Sequence, residues 1–377
     1  MRILFVAPRF HTNQFQMVKT LQENNHDVFF HVASHGATED HSLLTPIKYD
    51  QSRLSLLIEK LIGKGGVNRP NYFPNPIRYW KVFKKLKPHV VIIRDPYKFF
   101  SLMAAFFSLF TKAKIIFYTQ EELFRFRSRK TKLKHTLTLR FFKAAWMTPK
   151  LGDAGQYKQL RYTYYIPLPI ATKPIAATGK EITGAEPKIL MIGKYHQERK
   201  KHLLFINAIN QLKNKYKFKV TIVGECIREQ QLKKFSVIQE RVHSLGLADM
   251  VELKKNVPFD QMEALYTSHD VFVLPAVSEQ YGVSVTEALG YGLPAICTDS
   301  CGARYNIRHG ENGFVVKSNS LEELIVALDA LIGNKKRLCE MSQKSLAYVE
   351  QNLSGHAFYE RFLHLINDRF QLQENTA

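Results

Sequence analysis

The sequence predicts two doubly wound α/β domains, each on a parallel sheet, facing one another across a cleft. Three observations carry this reading. The chain has 377 residues, more than one ordinary core encloses, and two domains of roughly 150 to 200 residues are the natural division. Short apolar runs alternate with amphipathic helical stretches, the pattern of βα units with parallel pairing. The third observation is residues 271–316. There a buried strand (271–274) ends at Pro275 and a polar loop follows. Apolar residues then recur at helical spacing from Val283 until Gly290, Gly292 and Pro294 stop the helix, before another strand at 294–298. In open parallel sheets, ligands collect at the carboxyl ends of strands, where such loops gather.

In the expected first domain, residues 1–170, residues 1–7 form the first strand and 8–14 the loop leaving its carboxyl end. That loop offers His11, Asn13 and Gln14 to an acceptor or a phosphate, with a solvated loop histidine as the plain alternative for His11. A helix at 15–24 leads to a second strand at 26–30. Residues 35–86 are less regular, with a glycine-rich turn at 63–66 and a basic helix at 77–86. Strands follow at 89–94, 114–119, 145–149 and 164–166, and Gln120 leaves the second of these on the cleft side. Residues 167–170 cross to the second domain, and the Ala/Thr/Gly-rich run 171–186 reads as a linker.

The second domain, 187–350, opens with a strand at 188–193 and a basic loop containing Lys194, Arg199 and Lys200. Cations at a helix start are unfavourable without an anion to bind, so this loop points to phosphate. Strands at 219–224 and 250–253 follow, with Asn256 and Val257 placed to border a nucleotide base, then a helix at 259–268. The helix starting near Val283 directs unpaired N–H groups at whatever lies above Gly282, where the missing side chain lets a phosphate or sugar come close. Glu279 before this turn and Glu287 within the helix supply carboxylates suited to vicinal hydroxyls. Residues 284–287, Ser-Val-Thr-Glu, also fit a capping box, in which Glu287 only satisfies the helix backbone. Helices at 321–332 and 336–350 close the domain, and a last amphipathic helix lies within 351–377.

Pro275, Ser278, Glu279, Gly282, Glu287, Ala288, Gly292, Pro294, Gly302, Gly310, Asn312 and Gly313 together resemble the signature of the family 4 retaining glycosyltransferases, which have the GT-B fold of two Rossmann-like domains. The resemblance implies transfer of a hexosyl group from a UDP-sugar or GDP-mannose to a glycan acceptor with the anomeric configuration kept, in bacterial cell-surface polysaccharide or lipopolysaccharide synthesis. By it, Glu279 faces the transferred sugar, the backbone at Tyr281, Gly282 and Val283 meets the sugar and diphosphate, and Glu287 holds the ribose. It places Lys194 and either Arg199 or Lys200, with Lys200 preferred, on the donor diphosphate. The last helix is expected to pack back on the first domain. The nucleotide sugar is a co-substrate, and no cofactor is implied. The chain departs from the family where Cys301 and Tyr305 replace a usual glycine and glutamate, and where Gln120 stands near the place of a usual histidine.

Composition limits the alternatives. Apolar residues make up 45%, the longest greasy run (99–110) is too short to span a bilayer, and no secretion signal is visible, so the cytoplasm is the expected compartment. Four cysteines without a CxxC pair suit reducing conditions, and the absence of any Asp-x-Asp triplet argues against a bound metal. The net charge is +21, and residues 51–150 alone hold 22 lysines and arginines against 4 aspartates and glutamates, a net +18. Residues 78–85 and 123–135 interleave aromatic with basic side chains, which suits an interfacial helix on an anionic membrane face, where a lipid-linked acceptor would be presented. Nucleic acid could also answer such charge, yet no helix-turn-helix, zinc or ribonucleoprotein signature is present. A glycosidase using Glu279 and Glu287 would leave the bases at 194 and 200 idle.

Overall fold

The computed structural model describes residues 1–36, 39–62, 71–125, 127–155, 157–171 and 186–372. The chain divides twice: one unit comprises Met1–Pro169 with Gly355–Ala377, the other Ile170–Ser354. Residues 172–185 of the expected linker, and the turn at 63–66, lie outside the described residues.

The first unit begins with β1 (Arg2–Ala7), α1 (Thr12–Glu23), β2 (Asp27–Val32) and β3 (Ile47–Lys48). Next come α2 (Arg53–Ile62), α3 (Pro76–Leu86), β4 (Val90–Arg94), α4 (Phe99–Leu109) and β5 (Lys114–Tyr118). After β6 (Glu122–Phe124) and α5 (Arg129–Phe141) follow β7 (Ala145–Thr148), β8 (Lys150–Gly152) and β9 (Thr163–Tyr165). Seven strands pair in the order β3-β2-β1-β4-β5-β7-β9, all parallel, with Val6 opposite His31 on one side and Ile93 on the other. The chain builds outward from β1 through β2 and β3, then returns to β4 on the other side of β1, so the β1/β4 boundary is the switch point of this sheet.

In the second unit the order is β10 (Lys188–Ile192), α6 (His202–Leu212), β11 (Lys219–Gly224), α7 (Glu229–Ser244), β12 (Val251–Lys255) and α8 (Met262–Ser268). Then come β13 (Val271–Leu274), α9 (Val283–Gly290), β14 (Ala295–Thr298), β15 (Gly313–Val316), α10 (Leu321–Ile332) and α11 (Lys335–Asn352). The six-stranded parallel sheet runs β12-β11-β10-β13-β14-β15 and switches between β10 and β13. Strand residues alternate between two apolar layers because successive side chains leave opposite faces. Ile189, Met191, Val273 and Ile296 join Phe205 of α6, Phe235 of α7 and Leu328 of α10. Leu190, Phe272 and Cys297 join Leu265 of α8 and Val285 and Leu289 of α9.

The last helix, α12 (Gly355–Phe370), belongs to the first unit. Its Tyr359 hydroxyl lies 3.0 Å from His26 Nε2, Arg369 Nε donates to the Ala144 carbonyl at 3.0 Å, and Tyr164 donates to Asp368.

Two local expectations are corrected. Asn13 and Gln14 lie inside α1 and not in a loop. The Gln14 N–H donates to the His11 carbonyl at 2.8 Å while its side-chain oxygen accepts from the His11 N–H at 3.2 Å, so the helix is already closed at Thr12. Nor do residues 123–135 form one interfacial helix. Glu122–Phe124 pairs with Lys150–Gly152 as a two-stranded ribbon, and the buried Arg127 donates to the carbonyls of Glu122 and Leu123 at 2.9 and 3.3 Å. These bonds take the backbone groups that a helix would need, and the helix starts only at Arg129.

His31 is fully buried on β2 between the hydroxyls of Tyr79 (3.2 Å) and Tyr49 (3.5 Å), and burial lowers its pKa to about 3. The unfolded chain then binds a proton below about pH 6.5 that the folded one refuses until about pH 3, so stability falls as pH falls through this window. Between pH 7 and pH 5 this single group is expected to cost the first unit about 2 kcal/mol. Denaturant titration at the two pH values measures it, and a His31→Gln variant with an undiminished slope would clear His31 of the effect.

Candidate active site

The carboxyl ends of β10 and β13 meet at the switch point of the second sheet, and their loops are tied together. The Val277 N–H donates to the Arg199 carbonyl at 2.7 Å. Glu279 Oε2 accepts from Lys200 Nζ at 2.6 Å and also from Arg199 Nη1, while Arg199 Nη2 donates to Gln197 at 2.9 Å. Lys200 is only 9% exposed, and its aliphatic stem lies across Gly193, where an added β-carbon would meet it at 3.2 to 3.3 Å. The unsettled choice between Arg199 and Lys200 thus ends with both on one carboxylate oxygen. Two cations on one anion leave the cluster with a net positive charge.

This cluster stands at the start of α9. Gly282 caps the helix with φ 83°, no side chain caps it, and its first turn holds no acidic residue. A β-carbon on Gly282 would sit 2.8 Å from Cys301 Sγ and 3.5 Å from Glu279 Cγ, so the thiol lies against the turn where the family pattern has glycine. On the opposing loop, a β-carbon on Gly302 would come within 2.2 Å of the Gln280 carbonyl oxygen, and the Gly302 N–H donates to the Glu279 carbonyl at 3.0 Å. Two glycines therefore let the loops touch. Tyr281 is buried behind them, and Val283 opens the helix. Cys301 and Cys297 are both buried, and the hydrogen bond between their thiols lowers the Cys301 pKa and raises that of Cys297. The Tyr305 ring lies against the Arg304 guanidinium, 4.5 Å from its centroid.

Glu287 does not form the capping box. Ser284 lies inside the helix, and the Glu287 carboxylate accepts from the Tyr266 hydroxyl at 2.7 Å. Burial raises the Glu287 pKa and this hydroxyl partly opposes it. Tyr266 stacks on Tyr291 with ring centroids 5.1 Å apart. Tyr266 carried no signal in the sequence beyond an aromatic on the apolar side of a helix.

Lys194 and Asn256 make their contacts at the ends of β10, β11 and β12. Lys194 Nζ donates to Glu225 at 2.9 Å, a half-exposed pair. The Asn256 amide bridges both backbone groups of Cys226, at 2.7 and 2.9 Å, so it braces the β11 loop and its side chain is not free for a base. Val257 packs against the apolar layer behind α8 and α9. Tyr195 and His202 were missed by sequence reasoning. The Tyr195 hydroxyl donates to the Ile222 and Lys254 carbonyls, and His202 Nε2 lies 3.1 Å from the Gly193 carbonyl. Burial, with Lys200 adding to it, lowers the His202 pKa to about 4, so its neutral ring donates there and holds the turn that Lys200 crosses.

In the first unit His11 caps α1. Its pKa is lowered to about 3 by burial and then by Arg94, Arg9 and Lys98. Gln120 follows β5 beside Tyr118, whose pKa is raised by burial with Arg94 and Gln120 in partial opposition. Arg94 thus acts on both His11 and Tyr118, and Gln120 acts on Tyr118.

Residues 176–347, in the second unit, match the model of a family described as glycosyl transferases group 1. An uncharacterized glycosyltransferase of Haemophilus influenzae is 31% identical over 112 residues, 28% of this chain and 32% of that protein. The stretches matched in curated relatives span between 24% and 32% of those proteins' lengths. Among solved structures, a glycosyltransferase from Rickettsia africae ESF-5 superposes with a TM-score of 0.73 at 16% identity, covering 99% of each chain. Anabaena Alr3699/HepE in complex with UDP-glucose superposes at 0.69 and 13%, covering 98% of this chain and 100% of that one. The fold is therefore that of GT-B glycosyltransferases, with two Rossmann-like units.

The loop contact at Gly302 generates a stability prediction. Gly302→Ala is expected to cost about 1 to 3 kcal/mol, because the new methyl must push the Gln280 carbonyl away. Gly155→Ala, with nothing within 4 Å of the new carbon, is the control. Equal melting temperatures for the two variants would mean that the loops part without strain.

Proposed function

We propose that this chain is a retaining glycosyltransferase that moves a hexosyl group from a UDP-sugar or GDP-mannose to a glycan acceptor, in the synthesis of a cell-surface polysaccharide. The observation that carries the reading is the positive cluster of Lys200 and Arg199 on Glu279 at the uncapped start of α9, on the switch point of the second sheet. It is supported by the group 1 domain match and by a neighbour of the same fold that holds UDP-glucose.

In this mechanism the second unit holds the donor. As the bond between the anomeric carbon and the diphosphate oxygen breaks, negative charge grows on the leaving diphosphate. Lys200, Arg199, Lys194 and the α9 backbone N–H groups meet it. The acceptor oxygen bonds to the anomeric carbon on the same face, and its proton passes to the departing phosphate oxygen. Glu279 faces the sugar, and its pairing keeps both cations aimed at one place. Glu287 takes the ribose hydroxyls with Tyr266 setting its orientation. A glycosidase using Glu279 and Glu287 as its acid and nucleophile would leave Lys194 and Lys200 without a role. The cations replace a metal in this scheme.

Glu287→Ala is expected to weaken nucleotide binding roughly 10- to 100-fold, the loss of a charge-assisted bond of about 1.5 to 3 kcal/mol. Glu279→Ala should chiefly lower turnover, and Lys200→Ala should weaken UDP but not uridine. Thermal shift and calorimetry with UDP, GDP and ADP, followed by transfer assays with and without EDTA, measure this. Unchanged nucleotide affinity in Glu287→Ala, or activity abolished by EDTA and restored by Mg²⁺, would overturn the corresponding assignment.

The acceptor is proposed to be lipid-linked and met by the first unit on an anionic membrane face at the inner side of the cell membrane. No described helix is long and apolar enough to cross a membrane. Leu133, Leu137 and Phe141, 53% to 66% exposed, recur every fourth residue on α5 among Arg129, Lys130, Lys132, Lys134 and Arg140. On α3, Ile77 is exposed beside Arg78, Lys81, Lys84 and Lys85. Such faces suit the headgroup boundary of acidic lipid, at about 1 kcal/mol per basic residue. Sedimentation with anionic vesicles at low salt should exceed that with neutral vesicles, and Leu133→Glu with Leu137→Glu should reduce it. Equal binding to both vesicle types would exclude the acidic surface.

A further inference from the structure

The first sheet has its own switch point, and the groups gathered there are not used by the donor chemistry. β1 and β4 are neighbours, and their carboxyl ends lead into Arg9–His11 and Arg94–Lys98, directly before α1 and α4. Neither helix has an acidic residue in its first turn. Arg9 pairs with Glu39 at 3.7 Å, and Lys98 Nζ pairs with Asp95 at 2.7 Å. Both carboxylates are thereby ion-paired, although Glu39 Oε1 makes no hydrogen bond. Arg94 is partly buried, and its Nη1 is enclosed with no hydrogen-bond partner. Its guanidinium carbon lies 5.8 Å from the centroid of the Tyr118 ring. Tyr118 is 1% exposed, and its buried hydroxyl has only the Gln120 side chain to interact with, while the side-chain oxygen of Asn13 is buried without a hydrogen-bond partner. The oxygen and nitrogen of an Asn amide exchange by a simple flip, so Asn13 can also present a donor here.

Enclosing the Arg94 Nη1 without a hydrogen bond is costly, because its N–H groups lose their water and gain nothing in return. A negatively charged ligand removes that cost. Arginine's planar fork suits the paired oxygens of a phosphate, and two helix starts add their N–H groups and partial positive charge. His11 stays neutral among these cations and can offer an anion a single ring N–H.

We propose that the β1/β4 switch point of the first unit is a phosphate-binding site centred on Arg94 and Tyr118, with His11 and Asn13 at its edge, and that it holds a phosphate monoester carried by the acceptor. The acceptor role rests on the glycosyltransferase reading; phosphate binding does not. A soluble sugar phosphate and a phospholipid headgroup share this chemistry.

The test is calorimetric titration of the full chain with inorganic phosphate at constant ionic strength, on wild type, Arg94→Gln, Tyr118→Phe and Lys200→Met. Arg94→Gln is expected to weaken phosphate about tenfold or more and Tyr118→Phe about threefold or more, since charged hydrogen bonds are lost. Lys200→Met should bind phosphate in the first unit as wild type does. Glucose 1-phosphate and phosphatidate vesicles, compared between wild type and Arg94→Gln, tell which source the site accepts. If Arg94→Gln does not fold, Tyr118→Phe, which removes one oxygen atom, carries the test. Wild-type phosphate affinity in both first-unit variants, loss only in Lys200→Met, or no binding by wild type at tens of millimolar would overturn the proposal. UDP melting shifts, recorded alongside, are expected to be unchanged in Arg94→Gln. Their absence in every protein would count against the glycosyltransferase reading and leave phosphate binding by Arg94 standing.

Discussion

The second unit is organised by one electrostatic contact, the shared oxygen of Glu279 between Lys200 and Arg199. Removing Lys200 from water is expensive, and the carboxylate makes the burial tolerable only because its geometry is fixed. That geometry comes from the backbone. The Val277–Arg199 hydrogen bond joins the two loops, Gly193 leaves room for the lysine stem, and Gly282 and Gly302 let the β13 and β14 loops close on one another. A change at any of these positions reaches the carboxylate through steric contact, without touching a charge.

The same arrangement explains how one cluster can serve both stability and ligand binding. With no ligand, Glu279 neutralises one of two cations. A diphosphate arriving at the α9 start would compete for them, and the helix dipole would add to the attraction. The carboxylate would then keep the cations positioned and limit how tightly such an anion is held. Glu287, by contrast, is held by an uncharged hydroxyl in an apolar layer, which suits a hydrogen-bonding role toward hydroxyl groups more than one toward phosphate.

Both sheets use one topological device. In each, the first strand of the unit is flanked on one side by the strands that follow it and on the other by the strand that returns, and basic side chains gather at that boundary. In the second unit the cations are paired across the switch, whereas in the first the Arg94 Nη1 is enclosed without a hydrogen bond. The difference follows from which residues leave the strand ends: a glutamate after β13, and an arginine, a phenol and an amide at the ends of β4 and β5 and the start of α1.

The parallel sheets, the strand from Lys188, the glycine turn at Gly282 and the helix from Val283 were determined by the sequence itself. Apolar periodicity, glycine and proline positions and helix-start chemistry are local, and neighbouring residues suffice to specify them. What each functional side chain touches was decided only by the tertiary structure. Both candidate cations, Arg199 and Lys200, reach one carboxylate 79 and 80 positions away, Glu287 bonds to Tyr266 and not to its own helix, and Asn256 bridges Cys226. The stretch 123–135 shows the limit most plainly. Its alternation of aromatic and basic residues reads as an amphipathic surface, yet pairing with Lys150–Gly152 and the burial of Arg127 turn its first part into core. Pairing energies between distant segments depend on distances that the order of residues does not contain, and they override a local pattern whenever the backbone's hydrogen bonds are better satisfied elsewhere.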